Sequence, residues 1–201
     1  MKNLITPFIL LMFAGCFPLA NLETGRTSGL GHHRIQGNFE TYFVGQLGED
    51  ISGVVPAVNI KYAYGLKPRL DLNISASSGG NGQIGTKYQF LGNQESNIAM
   101  AAGLKIGTQL LFTENTHPIR LYAPLFFSYH PNSRHAIFMN PMYVKQIILD
   151  DHNSDFWGTT LGSTFYIKDS ELSFGVSYNY IQSGRENDHL LTAGIGYMYK
   201  F

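Results

Sequence analysis

The chain has 201 residues, and its 14 basic and 14 acidic side chains cancel, which excludes the cationic surface of a nucleic-acid binder. Charged residues are only 14% of the chain against 44% hydrophobic, and Gly (22), Tyr (12) and Phe (14) stand against one Trp, the make-up of aromatic-rich strands. The one cysteine, Cys16, excludes an intrachain disulfide and any cysteine-clustered metal site, and no apolar run beyond the N-terminus reaches the ~20 residues of a membrane helix.

Residues 1–15 place Lys2 before an apolar run from Leu4 to Phe13, followed by the small pair Ala14-Gly15. This is the layout of a secretory signal peptide. Phe13-Ala14-Gly15-Cys16 resembles the bacterial lipobox, with Phe13 where Leu is usual, and the resemblance implies that Cys16 is acylated and becomes the mature N-terminus. An ordinary cleavage site is poorly formed, because Pro18 sits two residues before Ala20 where a small residue is wanted. Residues 16–36, with Gly25, Gly29, Gly31 and the pair His32-His33, carry no sustained period and are expected to form a lipid-anchored tether or entry segment.

From Gly37 the sequence alternates, and residues 37–201 are expected to form one β-barrel. Period-two patterning predicts strands over 37–47, 54–64, 69–78, 82–91, 97–109, 118–129, 135–147, 156–167, 171–182 and 190–201. That is ten strands, with eight as the alternative count. Val58, Ile60, Tyr62 and Tyr64 oppose Asn59, Lys61 and Ala63, and Leu191, Ala193, Ile195, Tyr197, Tyr199 and Phe201 oppose Thr192, Gly194, Gly196, Met198 and Lys200. Pro124 and Pro141 each remove a ladder donor and weaken the sixth and seventh strands. Connections at 65–68, 92–96, 130–134 and 168–170 are tight, while 48–53, 110–117, 148–155 and 183–189 are longer, and 77–81 is a short connection in an outer position. Short periplasmic turns with longer outer loops describe an antiparallel up-and-down transmembrane barrel. A soluble sandwich or lipocalin-like barrel also alternates, but its wet face should be richer in charge than these Gly, Ser and Thr faces, and the aromatic strand ends suit membrane interfaces.

Gly194-x-x-Tyr197-x-Tyr199-x-Phe201 resembles the C-terminal assembly signal of outer-membrane proteins, whose terminal aromatic is read by the barrel-assembly machinery. Tyr64-Gly65-Leu66-Lys67-Pro68-Arg69-Leu70-Asp71-Leu72 is similar to hairpins of small outer-membrane barrels from Gram-negative bacteria and spirochaetes, and Thr24-Gly25-Arg26-Thr27 to Gly37-Asn38-Phe39-Glu40 looks like their lead-in to the first strand. The resemblance implies a location in the bacterial outer membrane, with membrane lipid and the assembly machinery as partners. It implies an architecture rather than an activity.

Chemistry could reside in the lumen, at the outer rim or among the histidines. Lys61, Lys87, Lys105, Arg120 and Lys200 oppose Glu40 and Asp71 on the inner faces, so the lumen is net positive; it is either a salt-bridged filling or a narrow porin-like path for small anionic solutes. Asp150, Asp151, His152 and Asp155 lie one loop before Glu186, Asp188 and His189, and carboxylates beside histidines can activate water at a rim. The chain is shorter than the ten-stranded outer-membrane proteases and lacks a His-x-Ser-Asn segment of the lipid A deacylase kind. His32, His33, His117, His130 and His135 fall on different levels, so no metal site is expected, and no cofactor is implied. The leading expectation is a non-enzymatic barrel with a structural or surface-interaction role, ahead of an anion-preferring pore and a rim hydrolase acting on lipid or peptide.

Overall fold

The structure is a computed structural model that describes residues 20–44, 53–109, 118–148, 153–183 and 186–201. Ten antiparallel strands follow one another around a closed barrel: β1 (His33–Val44), β2 (Gly53–Lys67), β3 (Leu70–Ser77), β4 (Asn81–Leu91), β5 (Ile98–Gln109), β6 (Ile119–Asn132), β7 (His135–Ile147), β8 (Ser154–Ile167), β9 (Ser170–Ser183) and β10 (Glu186–Lys200). Every strand pairs with its chain neighbours, and β1 closes on β10 from Arg34↔Lys200 to Val44↔Leu190. Closure removes the edges that hydrocarbon would leave without hydrogen-bond partners.

The ten strands match the ten read from alternation, with two informative differences at their ends. β1 begins at His33 rather than Gly37, because His33 pairs with Tyr64 and exchanges backbone bonds with Phe201 (2.9 and 3.0 Å). β9 and β10 run on to a Glu186↔Ser183 pair, so the outer connection between them is far shorter than the sequence indicated. The proline strands form as well. Pro124 pairs with Met142 and Pro141 with Thr159, and the β6–β7 ladder skips the rungs between Pro124 and Phe127, where donors are missing. Turns at 68–69, 133–134 and 168–169 share one end of the barrel with Phe201, the periplasmic end by the habit of such barrels.

The faces settle what surrounds the wall. Outward positions form a belt of Ile60, Ile74, Ile84, Leu104, Ile106, Leu161, Val176 and Ile195, of which Leu104 is 63% and Leu161 57% exposed. Aromatic residues flank it: Tyr88, Tyr129, Phe165, Tyr197 and Tyr199 toward the periplasmic end, Trp157 and Tyr178 toward the other. A continuous apolar belt of this extent is incompatible with water and is the surface of a membrane-spanning barrel. The inward positions are the buried ones and are polar, among them Gln36, Asn38, Asn73, Gln89, Asn140, Thr164 and Ser177.

Arginine at Leu161 should therefore cost about 2–4 kcal/mol of folding free energy in a bilayer, as expected for a charge near the midplane of the lipid face. Denaturant titration in lipid vesicles measures it, and an unchanged midpoint would contradict the assignment of faces.

Candidate functional site

The lumen is occupied by the chain's own N-terminal segment. A barrel of eight strands is just filled by its side chains, and ten strands leave a wider interior. Residues 20–28 run down this space toward the periplasmic mouth with Leu22, Thr24 and Ser28 at most 2% exposed. At the mouth the segment reverses through Gly29 (φ 85°) and Gly31 (φ 74°), left-handed positions natural to glycine, and enters β1. The reversal is fastened to the β2 end by Gly31 N–H to Gly65 O (2.8 Å) and Gly65 N–H to His32 O (2.9 Å).

Small residues on one wall make the room. Leu22 sits over Gly175, Gly194 and Gly196 of β9 and β10, where an added Cβ would lie 2.7, 3.2 and 3.4 Å from its methyl groups. Beside them the Asn21 N–H donates to Thr160 Oγ1 (3.0 Å) on β8. Gly25 is pressed against β5, where a Cβ would stand 2.3 Å from the Ala99 carbonyl oxygen, and its N–H donates to Ser128 Oγ on β6 (2.9 Å). Asn140 of β7 donates to the Asn21 and Glu23 carbonyls at 2.6 and 2.7 Å.

Long polar side chains clamp the segment from the opposite wall. The Glu23 carboxylate receives Lys61 on one oxygen and Lys87, at 3.3 Å, on the other, and all three side chains are less than 10% exposed. Lys87 also donates to the Thr24 carbonyl (2.7 Å) and the Arg26 carbonyl (3.0 Å), with its ammonium 4.4 Å from the centre of the Phe126 ring. Both Asp71 oxygens accept the Ser28 N–H, and Oδ2 takes Arg34 at 3.2 Å. Arg34 reaches Glu171 of β9 at 3.8 Å. Glu40 accepts the Ala20 N–H (3.3 Å) and the Tyr42 hydroxyl (2.7 Å). Buried charges persist only when paired and hydrogen-bonded, and Glu23, Lys61, Lys87, Arg34 and Asp71 meet that condition.

Toward the outer end the lumen changes character. Tyr122, Val144 and Phe156 form one buried apolar cluster against Met142 and Ile181, and Tyr42 and Ala57 form another against Val55, Met142 and Leu190. Arg120 bonds Asn81 and Gln146 Oε1 (2.6 Å) at that level. The wall's own bulky side chains thus narrow the outer half, and residues 20–28 occupy the inner half.

The candidate lumen charges Glu40, Lys61, Asp71, Lys87, Lys105 and Arg120 all face inward, and the structure joins Lys61 and Lys87 through Glu23. Glu23, Arg34 and Glu171 were not singled out in the sequence, although the cation excess among the inner-face residues signalled that anions were missing. Gly194 lies on the inner face against Leu22 and Glu40, while Tyr197, Tyr199 and Phe201 are exposed at the periplasmic end, with Phe201 stacked on His33 (5.4 Å). Of the rim residues, Asp155 is held by the Tyr143 hydroxyl (2.6 Å) and Lys145 (3.0 Å), and His189 contacts Tyr178 and Tyr180. His33, His130 and His135 meet Tyr62, Ser128 and Ser163 separately, and no metal-binding cluster occurs among the described residues. Cys16, the signal residues 1–15, His117, Asp150, Asp151 and His152 lie outside the described residues, as do the side chains of Glu186 and Asp188.

Among solved structures, an outer membrane channel from Pseudomonas putida F1 resembles the chain with a TM-score of 0.55 at 12% identity, over 92% of this chain and 100% of that one. The fold is that of an outer-membrane β-barrel. Its place is the bacterial outer membrane. NanC porin matches with a TM-score of 0.48 at 10% identity over 84% of this chain and 100% of that one, and Neisserial surface protein A with 0.41 at 11% over 85% and 99%. No family model matches, and no curated protein matches.

Glu23→Gln leaves Lys61 and Lys87 without their shared carboxylate, and removing one partner of a buried pair costs about 3–5 kcal/mol. The expected result is a lowered denaturant midpoint in vesicles. An unchanged midpoint would mean that the segment does not bind inside the barrel.

Proposed function

We propose that the chain is a closed outer-membrane barrel with a structural or surface-interaction role, displaying its outer loops on a sealed support rather than conducting solutes. One observation carries this: residues 20–28 and the Tyr122–Val144–Phe156 cluster occupy the lumen in series. The partners that suit it are outer-membrane lipid around the belt and the barrel-assembly machinery at the Tyr197–Phe201 end. A diacylglyceryl group on Cys16 would add a second attachment, tested by loss of acyl labelling in Cys16→Ser.

A narrow path preferring anions is the second reading. It is favoured by the cationic lumen, where Lys61, Lys87, Lys105, Arg34 and Arg120 face Glu23, Glu40, Asp71 and Glu171. It requires both closures to open. A rim hydrolase has less support, since Asp155 is already engaged by Tyr143 and Lys145.

In planar bilayers the purified full chain should give no stepwise conductance at moderate voltage, while producing the heat-modifiable gel mobility of a folded barrel. Stable anion-selective steps from the same folded preparation would replace the closed-barrel reading with the pore.

A further inference from the structure

Between the N-terminal segment and the wall a small cavity remains. Its volume is about 30 Å³, and its polar lining includes Asn21, Glu23, Gln83, Lys105 and Tyr122, with Asn38, Asn59, Lys61 and Ser75 completing it. A space of this size holds one water or one small ion.

The chemistry of the lining is lopsided. Asn21 Nδ2 and Gln83 Nε2 have no hydrogen-bond partner, although both residues are more than 90% buried. The Tyr122 hydroxyl has none of good geometry either, though Arg120 and Gln83 lie beside it. Asn59 Oδ1 is an unpartnered acceptor on the lining, while Gln83 is held with its Nε2 free because its Oε1 accepts from Ser75 (3.5 Å). Lys105 forms no ion pair or hydrogen bond among the described residues. Glu23, the nearest carboxylate on the lining, is already shared by Lys61 and Lys87.

The charge count points the same way. Lys61, Lys87 and Lys105 share this level with Glu23 and Glu40, which is 3 − 2 = 1 positive charge in excess. Lys105 is half-buried in the lumen, where an ammonium without a counter-charge is costly, and a water molecule brings no charge to offset it. A small anion accepts from Lys105 and from the idle amide donors at once, and it cancels the excess.

We propose that this cavity is a buried site for one monovalent anion of chloride size, held by Lys105 with Asn21, Gln83 and Tyr122. Occupancy would tie the N-terminal segment, through Asn21, to β4, β5 and β6. The site does not depend on whether the barrel conducts, because an ion lodged here is structural whether or not the outer closure ever opens.

The test compares the full folded chain in vesicles in sodium chloride and in sodium gluconate at equal ionic strength, gluconate being too large for the cavity. Chloride should raise the urea midpoint, gluconate should not, and Lys105→Met should abolish the difference while still folding. Gln83→Leu, which keeps every charge, should shrink the chloride response and serves if the lysine variant does not fold. Crystals grown in sodium bromide should show an anomalous peak beside Lys105 Nζ. Equal midpoints in the two salts, or a cavity without bromide, would overturn the proposal in favour of water.

Discussion

A cationic side chain pointing into a narrow barrel must find an anion, and this requirement organises the lumen. β2 and β4 aim Lys61 and Lys87 inward, where each loses the water that stabilises its charge. The wall's own carboxylates are already committed, Asp71 to Arg34 and Ser28, Glu40 to Tyr42 and Ala20. Glu23 supplies the missing charge from outside the sheet. The N-terminal segment is therefore a structural component of the barrel, and its path follows from where the lysines stand.

The two walls divide the labour. On β8, β9 and β10 the inner face is Thr160, Gly175, Ser177, Thr192, Gly194 and Gly196, which leaves space for a second backbone and for Leu22. On β1 to β4 it is Arg34, Gln36, Glu40, Lys61, Asp71, Lys87 and Gln89, long enough to reach across and bond that backbone. These luminal glycines thus have a packing cause, since a side chain at 25 would strike the Ala99 carbonyl and one at 175 or 194 would press on Leu22. Toward the outer end, beyond Ala20 among the described residues, the lumen residues of the wall become bulky: Tyr42, Tyr122, Val144 and Phe156.

Strand number, face and closure were legible in the sequence because lipid on one side and a polar lumen on the other enforce period two at nearly every residue. The Pro124 and Pro141 strands survived because a ladder can skip a rung. The N-terminal segment was illegible for the opposite reason: it touches a different strand at nearly every residue, so its contacts leave no period. Its trace was indirect, in a wall whose lysines outnumbered its carboxylates and in glycines aligned across β8 to β10 (Gly162↔Gly175↔Gly194). Starting the first strand at Gly37 also hid Arg34, and Glu171, one residue before the alternating run from Leu172, went unremarked as the inward carboxylate it is.

The most direct measurement of the filled lumen is thiol accessibility at Leu22 in a Cys16→Ser background. Leu22→Cys in the folded, vesicle-embedded protein should resist a charged maleimide from both sides of the membrane and react fully once the barrel is unfolded, because the side chain is 1% exposed and seated on Gly175 and Gly194. Rapid labelling in the folded state would mean that the segment lies outside the barrel, and the account of the lumen would fail with it.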